Sequence, residues 1–162
     1  MTEKVIKPIL DFFQINKGRQ ATFAKGINGS LSAGICVSAA AGYTYDYEGN
    51  IGVILTIAAG GGTPNASLSL FENSTSAPII YDQRGPSFQT GSSVSAFGGG
   101  FGYEYSSFKN TATGNVYYGN SALGGIGAPV PGEIHAEAAY TFVFGFNAVK
   151  QLESLYICIM EW

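Results

Sequence analysis

Charge is what this chain has least of. Asp, Glu, Lys and Arg make up 12% of its 162 residues, about half the usual share. With so few charges the chain must hide much of its surface against a partner, a second copy or a membrane. Cysteine is scarce too. Cys36 and Cys158 form neither a disulfide framework nor a metal-ligand spacing. They read as two reduced, buried small hydrophobes. Alternatively, a closed sheet would bring the first and last strands together and the two thiols with them, although a disulfide would also need an oxidising compartment.

Long apolar runs are missing. Residues 53–59 are too short for a transmembrane helix, and residues 9–15 are interrupted by Asp11 and Gln14. No Sec signal peptide is expected, so the chain would stay in the cytoplasm or leave by a signal-independent route. Phosphate loops are missing as well. The glycine runs at 60–62 and 98–100 lack the Gly-Lys-Ser/Thr ending and the strand-to-helix context, and no cofactor is expected.

The net charge of −3 is uneven: residues 1–25 carry +3 and the remainder −6. An acidic body is a poor match for a phosphate backbone, so nucleic acid is not an expected partner. The basic arm, residues 1–25, holds Pro8 at a plausible helix start, with Ile9, Phe12 and Phe13 at i, i+3, i+4 spacing. A short amphipathic helix over residues 8–15 follows, packed on the sheet or touching a membrane or partner.

Glycine and aromatics are abundant, and they alternate. In residues 133–146 (EIHAEAAYTFVFGF), Ile134, Ala136, Ala138, Tyr140, Phe142, Phe144 and Phe146 share one parity. Only a β-strand puts alternate side chains on opposite faces. A strand that long should bend, near Gly145. Residues 31–47 and 51–60 alternate likewise around a Glu48-Gly49-Asn50 turn, with Asp46 and Glu48 as turn residues. Gly60–Asn65 should break the second strand, 66–72 forms a third, and a short piece follows at 79–81. The glycines at 98–100 should divide 93–105, and 116–123 and 155–162 complete the set. The expectation is all-β: an antiparallel meander of about eight to nine strands, closed into a barrel or barrel-like sandwich at residues 26–162 behind a short N-terminal helix. Closure removes two apolar edges.

The parity that opposes the aromatics is mainly Gly, Ala, Ser and Thr. We expect the large residues to fill the core and the small polar face to meet water. The competing assignment has small residues lining a narrow interior and the aromatic face turned to lipid or a partner.

Candidate chemistry is confined to Glu133, His135 and Glu137, on one face at i, i+2, i+4, roughly 7 Å apart in succession. A His between two carboxylates suits a metal ligand set or a general base with an orienting acid, which would make a hydrolase. No nucleophile is marked beside it, so the bland assignment is a solvated strand start and a chain that is not an enzyme. Three Asn-x-Ser/Thr sequons, at Asn28, Asn65 and Asn73, mean little without a secretory signal.

Three segments carry a resemblance: YDYEGNIGVILTIAAGGGTPNASLSL (45–70), FGGGFGYEY (97–105) and GGIGAPVPGEIHAEAAYTFVF (124–144). In order and content they resemble a glycine-rich β module near the C-terminal ends of some bacterial polymorphic-toxin and RHS-repeat proteins. The likeness covers about two-thirds of the chain. It implies a domain of uncharacterised role, with no catalytic residues to carry over, and the leading expectation is a non-enzymatic binding or assembly module associated with a secreted toxin system. A protein partner or self-association would cover the apolar face; a membrane-active or pore-forming barrel is the alternative.

Overall fold

The computed structural model describes residues 7–8, 10–11, 20–96, 98–128 and 132–160. Six strands build it: β1 (Thr22–Asp46), β2 (Asn50–Thr75), β3 (Gly85–Ala96), β4 (Gly99–Lys109), β5 (Val116–Gly127) and β6 (Glu133–Asn147). A 3-10 turn (Ile80–Gln83) precedes β3, and helix α1 (Ala148–Met160) follows β6. Neighbouring strands run β1-β2-β5-β4-β3-β6, and β6 returns to β2. β2, β5, β4, β3 and β6 thus close an antiparallel barrel, and β1 lies along the other edge of β2.

Closure agrees with the sequence reading; the count and order do not. Among the described residues there are six strands rather than eight or nine, and non-sequential pairings of β2 replace the meander. Gly60–Asn65 does not break the second strand. β2 runs through it, pairing with β6 over Asn50–Gly62 and with β5 over Ser67–Thr75. Pro64, which has no N–H to give a ladder, sits where the β1 register shifts between Ser32 and Gly34. Gly34 takes φ +90° there. Both long strands bend at this point, so that β1 folds back until the Gly26 and Gly42 backbones touch. Thr44 Oγ1 donates to the Phe23 carbonyl beside them, at 2.9 Å.

The piece expected at 79–81 is the 3-10 turn, and β1 begins at Thr22, inside the segment assigned to the basic arm. Lys7, Pro8, Leu10 and Asp11 are helical; the rest of the arm's expected helix lies outside the described residues. The expected last strand is helix α1. Asn147 caps it, its Oδ1 accepting from the Lys150 N–H at 2.9 Å, and strong helix formers follow. Cys36 is therefore not set beside a final strand. It is a free, buried thiol, and the side chain of Cys158 lies outside the described residues.

The larger correction concerns the faces. The small polar parity points inward and the large apolar parity outward. Buried polar residues outnumber buried apolar ones among the described residues, while Phe101 is 79% and Ile134 71% exposed. The cause is space. A Cβ on Gly60 would strike the Ala136 carbonyl of β6, and one on Gly125 the Leu68 carbonyl of β2. A wall curled this tightly admits only small side chains, so hydroxyls and amides zip the interior: Ser30 to Ser67 at 2.8 Å, Thr56 to Thr141 at 2.9 Å, Asn73 to Ser121 at 2.7 Å. A small apolar plug of Ala24, Ile54, Ile80 and Val143 stops the end near the β1–β2 turn. Asp46 ties that turn to the plug, accepting from the N–H groups of Asn50 (3.0 Å) and Ile80 (2.8 Å). The sequon residues Asn28, Asn65 and Asn73 sit on the inward parity, where no glycan fits.

Gly60→Ala should therefore destabilise the fold by about 3 kcal/mol through forced backbone displacement. Gly99→Ala, with open space around the new methyl group, should stay within about 0.5 kcal/mol. Denaturant melts of the two variants check this.

Candidate functional site

Glu133, His135 and Glu137 are not a solvated strand start. The β6 face that carries them turns into the barrel, with Glu133 3% and Glu137 1% exposed. The register adds a fourth group. Gly91 of β3 pairs with His135 on one side and with Glu104 of β4 on the other. Because Gly91 has no side chain, the imidazole lies across β3, and its Nε2 reaches 4.0 Å from Glu104 Oε1. A Cβ on Gly91 would fall 2.5 Å from His135 Cε1 and 2.6 Å from Nε2. The glycine is the slot for the ring.

Each β6 carboxylate is held by one oxygen only. Glu137 Oε2 accepts from Ser38 Oγ and from Gln89 Nε2, both at 2.8 Å. Glu133 Oε2 accepts from Ser93 Oγ at 2.7 Å and from Asn65 Nδ2. The other oxygen of each, Oε1, is buried without a hydrogen-bond partner, and so is His135 Nδ1, which lies 3.6 Å from Glu133 Oε1. Glu104, His135 and Glu137 each offer a ligand atom, all within 4.8 Å of one another.

The cluster lines a cavity of about 50 Å³, together with Cys36, Asn65 and several serines. A second cavity of about 80 Å³ lies nearer the plugged end, among Asn73, Gln83, Gln89 and Thr141. Either has room for a few waters or an ion. Among the residues lining the two, Glu104, Glu133 and Glu137 face one His and no Lys or Arg.

This arrangement suits holding a cation better than covalent hydrolysis. The hydroxyls of Ser38 and Ser93 are committed to carboxylates, and His135 Nε2 faces Glu104 rather than a nucleophile. Glu104 was legible only as a lone acid on a glycine and alanine face. Its contact with His135 depends on a three-strand register that no local pattern encodes.

No protein-family model and no curated protein sequence matches the chain. Among solved structures, the virulence-associated protein VapB from the intracellular pathogen Rhodococcus equi is similar at 17% identity and a TM-score of 0.38. The alignment covers 76% of this chain and 98% of that one, and a likeness this distant carries no inference.

Gln89→Leu removes a donor from a buried carboxylate and should cost about 1–3 kcal/mol in a denaturant melt. The neighbouring outward substitution Thr90→Val, which touches none of this network, should be close to neutral.

Proposed function

We propose that this chain is a membrane-embedded β-barrel whose outer wall lies in lipid and whose polar interior is sealed from it. One observation carries the reading: the wall is apolar all the way round. Every strand contributes, with Ile27, Leu55, Leu70, Val94, Phe101, Ile126, Ile134 and Phe144 all exposed. Burying one such side chain is worth roughly 1.5–3 kcal/mol, so the wall represents on the order of tens of kcal/mol. A protein partner of standard size covers about 800 Å². Against a total surface of 9299 Å², that is one side of the barrel. A bilayer surrounds the whole wall.

Dimensions agree. β3, β4 and β5 have 12, 11 and 12 residues. At about 3.3 Å per residue and a tilt of about 40°, 11 residues rise roughly 28 Å, the thickness of a hydrocarbon core. Among the outward charges of the described strands, Lys109 ends β4 at the plugged, charged end, whereas Lys25 and Glu72, paired at 2.8 Å, lie further down the wall, two residues along β2 from Leu70. The opposite end, with the turn at Gly98 and the bend at Thr63-Pro64, turns no described charge outward. Tyr43, Tyr118, Tyr140, Phe142 and Phe146 cluster on the outer wall towards the charged end, where an aromatic belt meets a headgroup layer. No helix among the described residues is long and apolar enough to cross a membrane, so the strands would do the crossing.

The purified chain should need detergent and should float with phosphatidylcholine vesicles. Leu70→Lys separates the readings by size of effect: about 2–4 kcal/mol lost for a lysine near the bilayer midplane, and within about 0.5 kcal/mol on a water-exposed wall. A monodisperse species in buffer that ignores vesicles would overturn the proposal. The wall would then be the contact surface of an assembly module.

A further inference from the structure

We infer that the barrel interior holds one divalent cation of the zinc class, bound by His135 Nε2 and by carboxylate oxygens of Glu104 and Glu137. Three independent observations point there. The first is convergence: three side chains from two strands offer donors within 4.8 Å of one another. Tetrahedral ligands around Zn²⁺ sit about 3.4 Å apart, so a modest contraction completes the set. The second is the pattern of free atoms. Gln89 and Ser38 occupy one oxygen of Glu137 and leave the other, on a residue 1% exposed, without a hydrogen-bond partner in the geometry, with the Cys36 thiol against the same carboxylate. The third is charge. Three buried carboxylates share their cavities with one imidazole and no described Lys or Arg, and uncompensated buried charge is costly.

Glu133 takes a different part. Its Oε1 lies 3.6 Å from His135 Nδ1, on the side of the ring away from Glu104. A metal-bound histidine characteristically gives its second N–H to a carboxylate, which sets the tautomer and the ring direction. Ser93 and Asn65 hold Glu133 for that purpose. Glu133 is thus a positioning residue and not a ligand. One imidazole nitrogen with carboxylate oxygens suits Zn²⁺ above Mn²⁺, and Mg²⁺ or Ca²⁺ least. The small cavity beside the three ligands leaves the fourth position to water.

The experiment is a titration of the full, metal-stripped chain with Zn²⁺ by calorimetry and with Co²⁺ by absorption, in detergent or buffer, whichever keeps it monodisperse. Circular dichroism establishes that each variant keeps its strands. One ion per chain is expected, and the Co²⁺ spectrum should show d–d bands without a thiolate charge-transfer band. His135→Ala and Glu137→Gln should each weaken binding at least about 100-fold, and Glu133→Gln about 10–100-fold. Cys36→Ser, which keeps a hydrogen-bond donor against Glu137, should leave the stoichiometry of one ion per chain unchanged. Gly91→Ala, which occupies the slot of the ring without removing a ligand, should also weaken it. Should His135→Ala fail to fold, the Glu137→Gln titration and the wild-type Co²⁺ spectrum still decide. Absence of saturable binding to the folded wild type would overturn the inference, as would binding that survives both ligand substitutions or a spectrum dominated by thiolate.

Discussion

The curvature of the wall governs the rest. Where β1 folds back on itself, and where β2 meets β5 and β6, backbones approach so closely that Gly26, Gly42, Gly52, Gly60 and Gly125 have no room for a Cβ. A barrel of this girth cannot be filled with Phe, Tyr and Leu. Away from the plug its inner face is restricted to glycine, alanine, serine, threonine and a few longer polar chains, and most bulky residues of the strands are left outside. Which face is polar, where the charges lie and what surrounds the molecule all follow from that restriction.

A polar interior is tolerable only if its groups are paired, because a buried amide or hydroxyl without a partner costs about 1–3 kcal/mol. Most of this interior meets the requirement with ladders of short contacts between strands, as between Thr22 and Thr75 or Asn73 and Ser121. The unpaired atoms are not scattered evenly. Glu133 Oε1, His135 Nδ1 and Glu137 Oε1 lie together, one residue apart on the same face of β6, and Glu104 stands opposite. Three of the six unpaired buried side-chain atoms among the described residues therefore belong to ionisable groups on one face of β6, and the other three are Ser32 Oγ, Asn65 Oδ1 and Asn73 Oδ1.

Much of the architecture is legible in the sequence, because alternation reports which residues share a face. The β1–β2 turn, the division at Gly98 and the length of β6 are all readable there. Alternation is symmetric, however, and does not say which face is inside. The same small, hydroxyl-rich parity would suit the outside of a soluble barrel, and only strand number and curvature break the tie. Those depend on β2 pairing with both β5 and β6, contacts between residues 44 to 97 positions apart in the chain. The C-terminal helix was hidden differently. Residues 155–162 are apolar enough to pass for a strand, and the deciding signal is one residue, the capping Asn147. At the site, the triplet on β6 was visible by spacing. Glu104 was not, since nothing in FGYEY indicates that its acid faces a histidine two strands away.

The wall and the cluster constrain each other. If the outer face lies in hydrocarbon, the interior charges have low dielectric behind the backbone on every side, and bulk water cannot screen them through the wall. Three carboxylates must then be balanced from within the barrel, and a single imidazole supplies at most one positive charge. The few exposed cations of the wall cannot help. Lys25 is engaged with Glu72, and the exposed Arg84 sends its guanidinium to the Val143 carbonyl at 2.6 Å. The same segregation that makes the wall fit for lipid therefore leaves the cluster without a counter-charge of its own. A bound divalent cation resolves both demands at once.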